Sequence, residues 1–185
     1  SFNNGLSVQE YSYQDALIHK NGKGFIGFEK IEIENSVMDI KTKTIHQPDD
    51  TYSFILNPYQ NIKTTLNNDP IQTKEYSIDV VQDPFHSDGY QIRALFIKNT
   101  DHLKNMEVKK EYSNYDSYGN VGTVVQTYKI PGGVSEATHT ENRIYENIVE
   151  SDKWQIGRIK KSTNIGNRPD SNPITIVNDF DYYDN

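Results

Sequence analysis

The sequence predicts an all-β protein, and three observations support this. Ile, Val, Thr and Tyr number 20, 11, 13 and 13, whereas Ala, Leu and Met number 3, 6 and 2; branched and aromatic side chains lose rotamer freedom in helices and pack well on a pleated sheet. The 19 Asn and 11 Gly residues accept the positive φ angles of tight turns. Apolar and polar residues also alternate between closely spaced turn signals, as in an antiparallel sheet.

Taken in chain order, the alternating segments predict twelve strands, at 6–14, 25–34, 39–46, 51–56, 60–66, 71–82, 90–98, 106–114, 121–130, 138–149, 156–165 and 173–183. Turn signals separate them, among them "NGKG", "QPDD", "NPYQ", "DPFHSDG" and "YDSYGN". Short helical turns are predicted around Asp101–Lys104 and Ser151–Trp154, where Asp or Ser can cap a turn. We expect antiparallel hairpins in a curved meander, either an open slab or sandwich-like.

The organisation predicted for residues 1–185 is a single all-β segment of a larger protein. No Pro-, Gly- or Ser-rich linker divides the 185 residues. The chain opens in what reads as the middle of a strand and closes on "VNDFDYYDN", with no return strand. Domains rarely end halfway through a hairpin, because the last strand is then left with an unpaired edge.

Composition and charge exclude several classes of function. A net charge of −7 argues against nucleic-acid binding, which needs clustered Lys and Arg. The lack of cysteine excludes a disulfide framework and thiol catalysis. No apolar run approaches the roughly 18–20 residues of a membrane span. An acidic, Asn-, Thr- and Tyr-rich β-protein of this kind is typical of exported bacterial proteins, so we expect a secreted or cell-surface location.

The stretch "NGKGFIGF" has the G-x-G-x-x-G spacing of a dinucleotide site at Gly22, Gly24 and Gly27. Such a site needs a helix after the glycines, yet Ile31 and Ile33 alternate with charged residues in the strand pattern that follows. Asn21 precedes the first glycine in a typical hairpin turn. Asp49 and Asp50 lie at the distance of a ribose-binding acid, but they belong to a turn signal. We therefore predict hairpin and bulge glycines and no cofactor.

No catalytic or metal-binding residue is predicted. The histidines lack the spacing of a metal site (His19, His46, His86, His102 and His139). "NDFDYYDN" departs from a calcium loop at its fifth position, Tyr183. Ser135 and His139 do not fit a nucleophile elbow. Paired carboxylates stay open in principle, but nothing singles out two of the 26 acids, so we predict that the chain is not an enzyme.

The aromatic residues suggest binding as an alternative. Thirteen tyrosines and Trp154 can form an exposed face that stacks on sugars, or they can be core and hairpin-stacking residues. We expect Trp154 to be mostly buried. The alternative function is therefore a carbohydrate- or cell-surface-binding β-sandwich module.

The segment "YDSYGN" resembles the Y-D-x-x-G-N core of the YD repeats in Rhs-type proteins, with Tyr115, Asp116, Gly119 and Asn120 at the named positions. Physically, Asp116 can accept hydrogen bonds from its own turn, and Gly119 can take the left-handed conformation of a hairpin loop. Tyr112 and Tyr115 would then stack against the neighbouring hairpin.

Two further elements resemble the insecticidal toxin-complex B-subunit/SpvB-like branch of this family. "NGKGFIGF" is similar to its G-R-G-F-L-G-F element, with Lys23 and Ile26 replacing Arg and Leu. "DKWQIGR" is similar to its D-x-x-W-x-x-G-R element, with Trp154, Gly157 and Arg158 at the named positions and the Asp one residue closer to the Trp. "FDYYDN" looks like the opening of another repeat. The resemblance covers 8–34, 106–130 and 138–185. The structural motif residues that it assigns are Gly22, Gly24, Phe25, Gly27, Phe28, Tyr115, Asp116, Gly119, Asn120, Trp154, Gly157 and Arg158.

The resemblance implies a structural role. In this family the repeats form antiparallel sheets that spiral into a hollow shell around a C-terminal toxin domain, so the chain would be a strip of the wall. Its partners would be the rest of the parent polypeptide, namely flanking repeats and the C-terminal domain. The family's aspartyl self-cleavage region and variable toxin domain are not in this sequence, so neither activity is assigned. An edge-strand dimer of the excised fragment and a bound glycan are left open as further partners.

Overall fold

A computed structural model describes residues 8–19, 22, 24–129, 136–150 and 154–182, with only the backbone of Trp154. The described residues form eleven strands: β1 (Gln9–His19), β2 (Gly24–Asn35), β3 (Ile40–Pro48), β4 (Leu56–Thr64), β5 (Pro70–Gln82), β6 (Tyr90–Asp101), β7 (Met106–Tyr115), β8 (Val121–Lys129), β9 (Glu136–Val149), β10 (Trp154–Arg168) and β11 (Ser171–Asp179). Their order in the sheet is their order in the chain, and neighbours are antiparallel. The predicted all-β antiparallel meander is confirmed, and it takes the open form rather than the sandwich.

One predicted strand and one predicted break are wrong. The predicted strand 51–56 is absent up to residue 55, which belongs to the β3–β4 connection, because the Asp49 carboxylate accepts hydrogen bonds from the backbone N–H groups of Thr51 and Tyr52, at 2.9 and 2.8 Å, and curls the chain there. The "NPYQ" segment lies inside β4 instead of ending a strand. It is accommodated by a β-bulge, since His46 pairs with Pro58 whereas Ile45 pairs with Gln60.

The predicted turn at Asp101–Lys104 is present and is capped by Asp101, but it is not helical. β6 ends at Asp101, whose Oδ1 accepts a hydrogen bond from the Lys104 N–H at 2.9 Å, and Asn105 takes a positive φ of 48° to enter β7. This is a hairpin turn closed by an Asp side chain. Residues 151–153 of the second predicted turn lie outside the described residues. Among the described residues, no helix is long and apolar enough to cross a membrane.

The described residues form a single-layer sheet without a packed core on either face. Among the described residues, Val80 is the one buried apolar residue, with 7% of its surface exposed, and the buried polar residues are Asn35 and Ser162. A sheet normally buries one face against a second layer. Here most side chains along the central strands are half-buried, covered only by their neighbours within the sheet. Stability must therefore come from the backbone ladders and from cross-strand side-chain pairs.

Charge pairs join neighbouring strands. Lys41 Nζ on β3 lies 3.3 Å from Glu32 Oε2 and 3.0 Å from Glu34 Oε1, both on β2. Lys98 Nζ on β6 lies 2.6 Å from Glu75 Oε2 on β5. The hydrogen bond to Glu34 is the main cause that raises the pKa of Lys41. These pairs are still partly open to solvent, where ion pairs contribute about 0–1 kcal/mol each, so they support the register of the sheet more than its total stability.

Candidate functional site

One end of the sheet carries most of the ring contacts of the connecting loops. In a meander, the connections from odd to even strands lie at the same end, and three of them are described, at 49–55, 83–89 and 116–120. The ring centroids of Tyr52 and Tyr90 are 4.5 Å apart, those of Phe54 and Tyr90 are 5.5 Å apart, and those of Phe85 and Tyr118 are 4.7 Å apart. We call this end the aromatic rim, formed by these three loops with Tyr90.

The loop 116–120 is organised by the side chain of its first residue. Asp116 Oδ1 accepts hydrogen bonds from the N–H groups of Tyr118 and Asn120, both at 2.9 Å. The backbone closes through Asp116 N–H to the Asn120 carbonyl at 3.0 Å and Gly119 N–H to the Asp116 carbonyl at 3.1 Å. Gly119 has a φ of 83°, a conformation that strains residues with a Cβ. Both physical expectations for this turn, at Asp116 and Gly119, are confirmed.

The same carboxylate connects this hairpin to the next one. Asp116 Oδ2 accepts hydrogen bonds from Asn120 Nδ2 at 2.9 Å and from Asn147 Nδ2, on β9, at 2.8 Å. Asn147 Oδ1 in turn accepts the Gly157 N–H, on β10, at 2.9 Å. A Cβ at Gly157, whose φ is 82°, would lie 3.2 Å from Asn120 Oδ1. We call Asp116, Asn120, Asn147 and Gly157 the Asp116 network; it ties the 116–120 loop to two strands, β9 and β10.

The network keeps Asp116 ionised. Burial raises the pKa of the Asp116 carboxyl, but the hydrogen bonds from Asn120, Asn147 and Tyr118 outweigh burial and hold that pKa below its usual value. A carboxylate that accepts several N–H donors is stabilised in its charged form. All four of the hydrogen bonds given above come from uncharged donors, so the negative charge is balanced by dipoles rather than by a cation.

Contacts of Tyr115, just before the loop, and of Ser117, within it, fix the loop to β6. The Tyr115 hydroxyl donates to the Ala94 carbonyl at 2.5 Å, and the Arg93 guanidinium lies 5.3 Å from the centre of the Tyr115 ring. Gln91 Nε2 donates to the Ser117 carbonyl at 2.9 Å. Of the two tyrosines predicted to stack on the neighbouring hairpin, Tyr115 is confirmed, and Tyr112 stays a prediction. The loop is therefore held on its β6 side as well as on its β9–β10 side.

The Asp-headed loop recurs along the aromatic rim. Asp83 Oδ1 accepts the Phe85 N–H at 2.9 Å, and Asp49 Oδ1 accepts the Thr51 N–H at 2.9 Å. In each case the Asp N–H also closes the loop, onto Gly89 and Ile55 respectively, at 2.9 Å. The three aspartates stand 34 and 33 residues apart, and an aromatic residue follows each by two or three positions. The sequence predicts turns at all three places but assigns a motif role to the third alone; the regular Asp-to-aromatic interval is the signal that relates the other two to it.

The glycine-rich element lies elsewhere in the sheet. Gly24, Phe25, Gly27 and Phe28 are in β2, Gly22 is in the turn before it, and strands lie on both sides. The pairing of Leu17 with Gly27 and of Ile18 with Phe25 leaves Ile26 as a bulge, so these are hairpin and bulge positions as predicted. Four strands separate β2 from β7. The structure therefore brings together two of the three quoted motifs, not all three.

The third motif contributes Gly157 to the Asp116 network and Arg158 to a contact with Tyr182, beyond the end of β11. The Arg158 guanidinium lies 4.2 Å from the centre of the Tyr182 ring, and the Tyr182 hydroxyl donates to the Ile159 carbonyl at 2.9 Å. These two contacts hold Tyr182, two residues after Phe180, against β10. The Trp154 side chain and residues 183–185 lie outside the described residues, so the burial of Trp154 stays a prediction.

The sequence predicts no metal or catalytic site, and the histidines are the first residues to examine for one. Within the described residues, no three His, Asp or Glu side chains lie close enough to hold a metal ion. His86 Nδ1 lies 3.2 Å from Asp83 Oδ2, and His102 Nε2 lies 2.9 Å from the Thr73 hydroxyl. Ser135 lies outside the described residues. The arrangement at the aromatic rim can organise loops and present rings, and the carboxylates of Asp49, Asp83 and Asp116 accept hydrogen bonds from the backbone of their own loops.

Comparison with known proteins finds solved structures of similar fold. No protein-family model matches the chain, and no curated protein matches it. Three solved structures of TcdB2-TccC3, chains of a toxin complex, are similar. The TM-scores are 0.68 for the structure without the hypervariable C-terminal region, 0.67 for TcdB2-TccC3 and 0.64 for TcdB2-TccC3-Cdc42, at 7%, 8% and 8% identity.

The similarity extends over 86% of this chain and 12% of each of those chains. The chain therefore spans about an eighth of the length of the structures that it matches. At this identity the similarity shows the fold: this open meander has the architecture of one part of those larger toxin-complex chains.

Proposed function

We propose that this chain is a non-enzymatic structural segment of a secreted or cell-surface Rhs/YD-repeat, toxin-complex-like protein. It forms part of a β-sheet shell that encloses or presents a C-terminal toxin domain. The observation that carries the proposal is the similarity of 86% of the chain to a part of TcdB2-TccC3, joined with a "YDSYGN" loop whose Asp116 and Gly119 take the conformations that such a turn needs.

The exposed edges of the sheet support a role within a longer sheet. β11 is exposed along its whole length, with 69% of Ile174 and 56% of Ile176 accessible, and Tyr11 and Tyr13 on β1 are 52% and 53% exposed. Sheets that end in such strands tend to pair with further strands. In this proposal the strands before β1 and after β11 belong to the parent polypeptide, which is the main partner.

The Asp116 network supports a structural rather than a catalytic role for the motif. A general acid or base needs a carboxyl group that reaches substrate with a pKa near the working pH. Asp116 instead has both oxygens engaged by N–H donors and a lowered pKa. The motif therefore acts as a clamp between successive hairpins of the wall.

The test begins with the parent reading frame and continues with its product. We expect further Y-D-x-x-G repeats after residue 185 and a divergent C-terminal domain. In the purified full-length protein, that domain should resist proteinase K until the shell is unfolded by denaturant. A matched pair of full-length variants, Asp116→Ala and the edge substitution Tyr11→Ala, separates the clamp from general surface effects: only the first should expose the C-terminal domain.

Two results would overturn the proposal. One is a stop codon within a few residues of Asn185 in the parent gene. The other is digestion of the C-terminal domain at the same rate in the native protein and in a separately expressed copy of that domain, since a shell that encloses nothing cannot protect it.

A further inference from the structure

A cavity of about 400 Å³ opens on the aromatic rim beside the Asp116 loop. Its apolar wall is formed by Phe85, Tyr118, Val149 and Ile156, and its polar border by Asp83, His86 and Gln91. Three separate connections or strand ends contribute to it, namely the 83–89 loop, the 116–120 loop and the facing ends of β9 and β10. Its volume lies within the range of small-molecule sites, which is roughly 300–1,000 Å³.

The apolar wall contains a flat platform. The rings of Phe85 and Tyr118 stack with their centroids 4.7 Å apart and their planes inclined by 21°. One face of Phe85 is therefore covered by Tyr118, while the residue as a whole stays 53% exposed. The backbone under both rings is fixed, because Asp83 accepts the Phe85 N–H and Asp116 accepts the Tyr118 N–H, each at 2.9 Å. A preformed ring surface of this kind binds flat apolar faces at little entropic cost.

Polar groups stand at the border of this platform. Asp83 Oδ2 contacts His86 Nδ1 at 3.2 Å, which leaves the opposite ring nitrogen of His86 directed away from that pair, on a side chain that is 76% exposed. Within the described residues the Tyr118 hydroxyl has no hydrogen-bond partner. The backbone N–H of Phe85 is the main cause that lowers the pKa of Asp83, so its carboxylate is an ionised acceptor.

These features favour one class of ligand. A purely apolar side chain would strip water from the Asp83 carboxylate and the imidazole without replacing their hydrogen bonds. An anionic ligand would be repelled by Asp83 and by a chain of net charge −7. A ligand with one flat C–H face and several neutral hydroxyl groups matches both the platform and its border.

We propose that this cavity is a carbohydrate-binding site for a neutral pyranose. The sugar lays its C–H face on the outer face of Phe85, and its hydroxyl groups reach Asp83, His86 and the Tyr118 hydroxyl. The site is independent of the shell role: a wall segment can lack it, and a chain that is no wall segment can have it.

Saturation-transfer NMR with a panel of methyl pyranosides tests the proposal, at about 10 mM ligand so that even dissociation constants near 1 mM give measurable occupancy. At least one neutral pyranoside should receive saturation through its C–H face. Phe85→Ala should then weaken its binding at least tenfold, or about 1.4 kcal/mol. Phe85→Leu, which keeps the apolar contact but removes the ring, should also weaken it. Tyr11→Ala, which removes a comparably exposed ring from β1, should leave it unchanged.

Circular dichroism of each variant establishes that the sheet is intact. The proposal is overturned if no neutral pyranoside binds while 4-methylphenol does, since the cavity would then accept an aromatic side chain. It is equally overturned if a sialylated or sulfated sugar binds in preference, or if Phe85→Leu and Tyr11→Ala weaken pyranoside binding to the same extent.

Discussion

The loops headed by Asp83 and Asp116 begin alike but are held in different ways. Both aspartates accept the N–H of the residue two positions later, at 2.9 Å, and both close the loop with their own N–H. The polar contacts of the Asp83 carboxylate stay within its loop, reaching Phe85 and His86. Asp116 reaches Asn147 on β9, and through it the backbone of Gly157 on β10.

The difference separates two functions of one turn type. An Asp at the head of a loop is enough to fold that loop, because the hydrogen bonds that it accepts are local. Holding adjacent hairpins together needs a further donor, Asn147 Nδ2, from a strand that follows 31 residues later. In a single-layer sheet with one buried apolar residue among those described, such a clamp replaces part of what a core would contribute.

The largest expected effect comes from removing the clamp. Asp116→Ala leaves four N–H donors without their acceptor, and should lower the free energy of unfolding by about 2–4 kcal/mol. Asp83→Ala, the matched variant, should lower it much less, because its donors lie in an exposed loop that water can reach. Urea denaturation followed by far-UV circular dichroism measures both.

Equal losses of stability in the two variants would contradict this difference between the loops. Asn120→Ala removes one donor of the Asp116 network, so its loss in free energy of unfolding should lie between those of Asp83→Ala and Asp116→Ala. A change in the slope of the urea transition for Asp116→Ala alone would show that hairpins β7–β8 and β9–β10 have come apart.

A charge placed inside the network should produce the second effect. Asn147→Asp replaces a donor 2.8 Å from Asp116 Oδ2 by a carboxylate, and two carboxylates at that distance cannot both ionise without cost. We expect a loss of about 1–3 kcal/mol at pH 7, from the raised pKa of the new group. Urea titrations from pH 7 down to pH 3 measure it, with Asn147→Ala as the uncharged control.

The sign of the pH dependence distinguishes the variant from the wild type. The new carboxyl has a folded pKa above its unfolded value, so its penalty is present at high pH and disappears as the pH falls through the folded value. Asp116 in the wild type has a lowered pKa, so its contribution is full above the unfolded pKa of about 4 and is lost as the pH falls further. Acidification from pH 7 to 5 should therefore stabilise Asn147→Asp relative to the wild type. No such relative gain would mean that the two side chains are not in contact.

The local parts of this architecture could be predicted from sequence, and the long-range parts could not. Alternation and turn residues predict most strands, and the Asp116 and Gly119 conformations follow from the chemistry of their residues. The failures lie where one pattern admits two structures: 51–56 alternates like a strand, but Asp49 turns its backbone, and Pro58 reads as a break but is absorbed by a bulge. Asn147 carries no signal, since an Asn in a strand acquires its role only from the register that brings it to Asp116.

The smallest of the three expected effects comes from Gly119→Val, which tests the backbone conformation of the loop separately from its side-chain hydrogen bonds. Gly119 has a φ of 83°, and a Cβ added there would meet Gln91 Oε1 at 3.4 Å, an ordinary contact. The cost of Gly119→Val is therefore mainly that of a branched residue in the left-handed region, about 1–2 kcal/mol. Gly166→Val is the control, because Gly166 lies in β10 without a positive φ and no atom lies within 4 Å of an added Cβ. Its melting temperature should stay near that of the wild type or rise, since Val suits a strand, whereas that of Gly119→Val should fall. Equal melting temperatures would contradict the left-handed turn and, with it, the geometry that delivers Asp116 to Asn147.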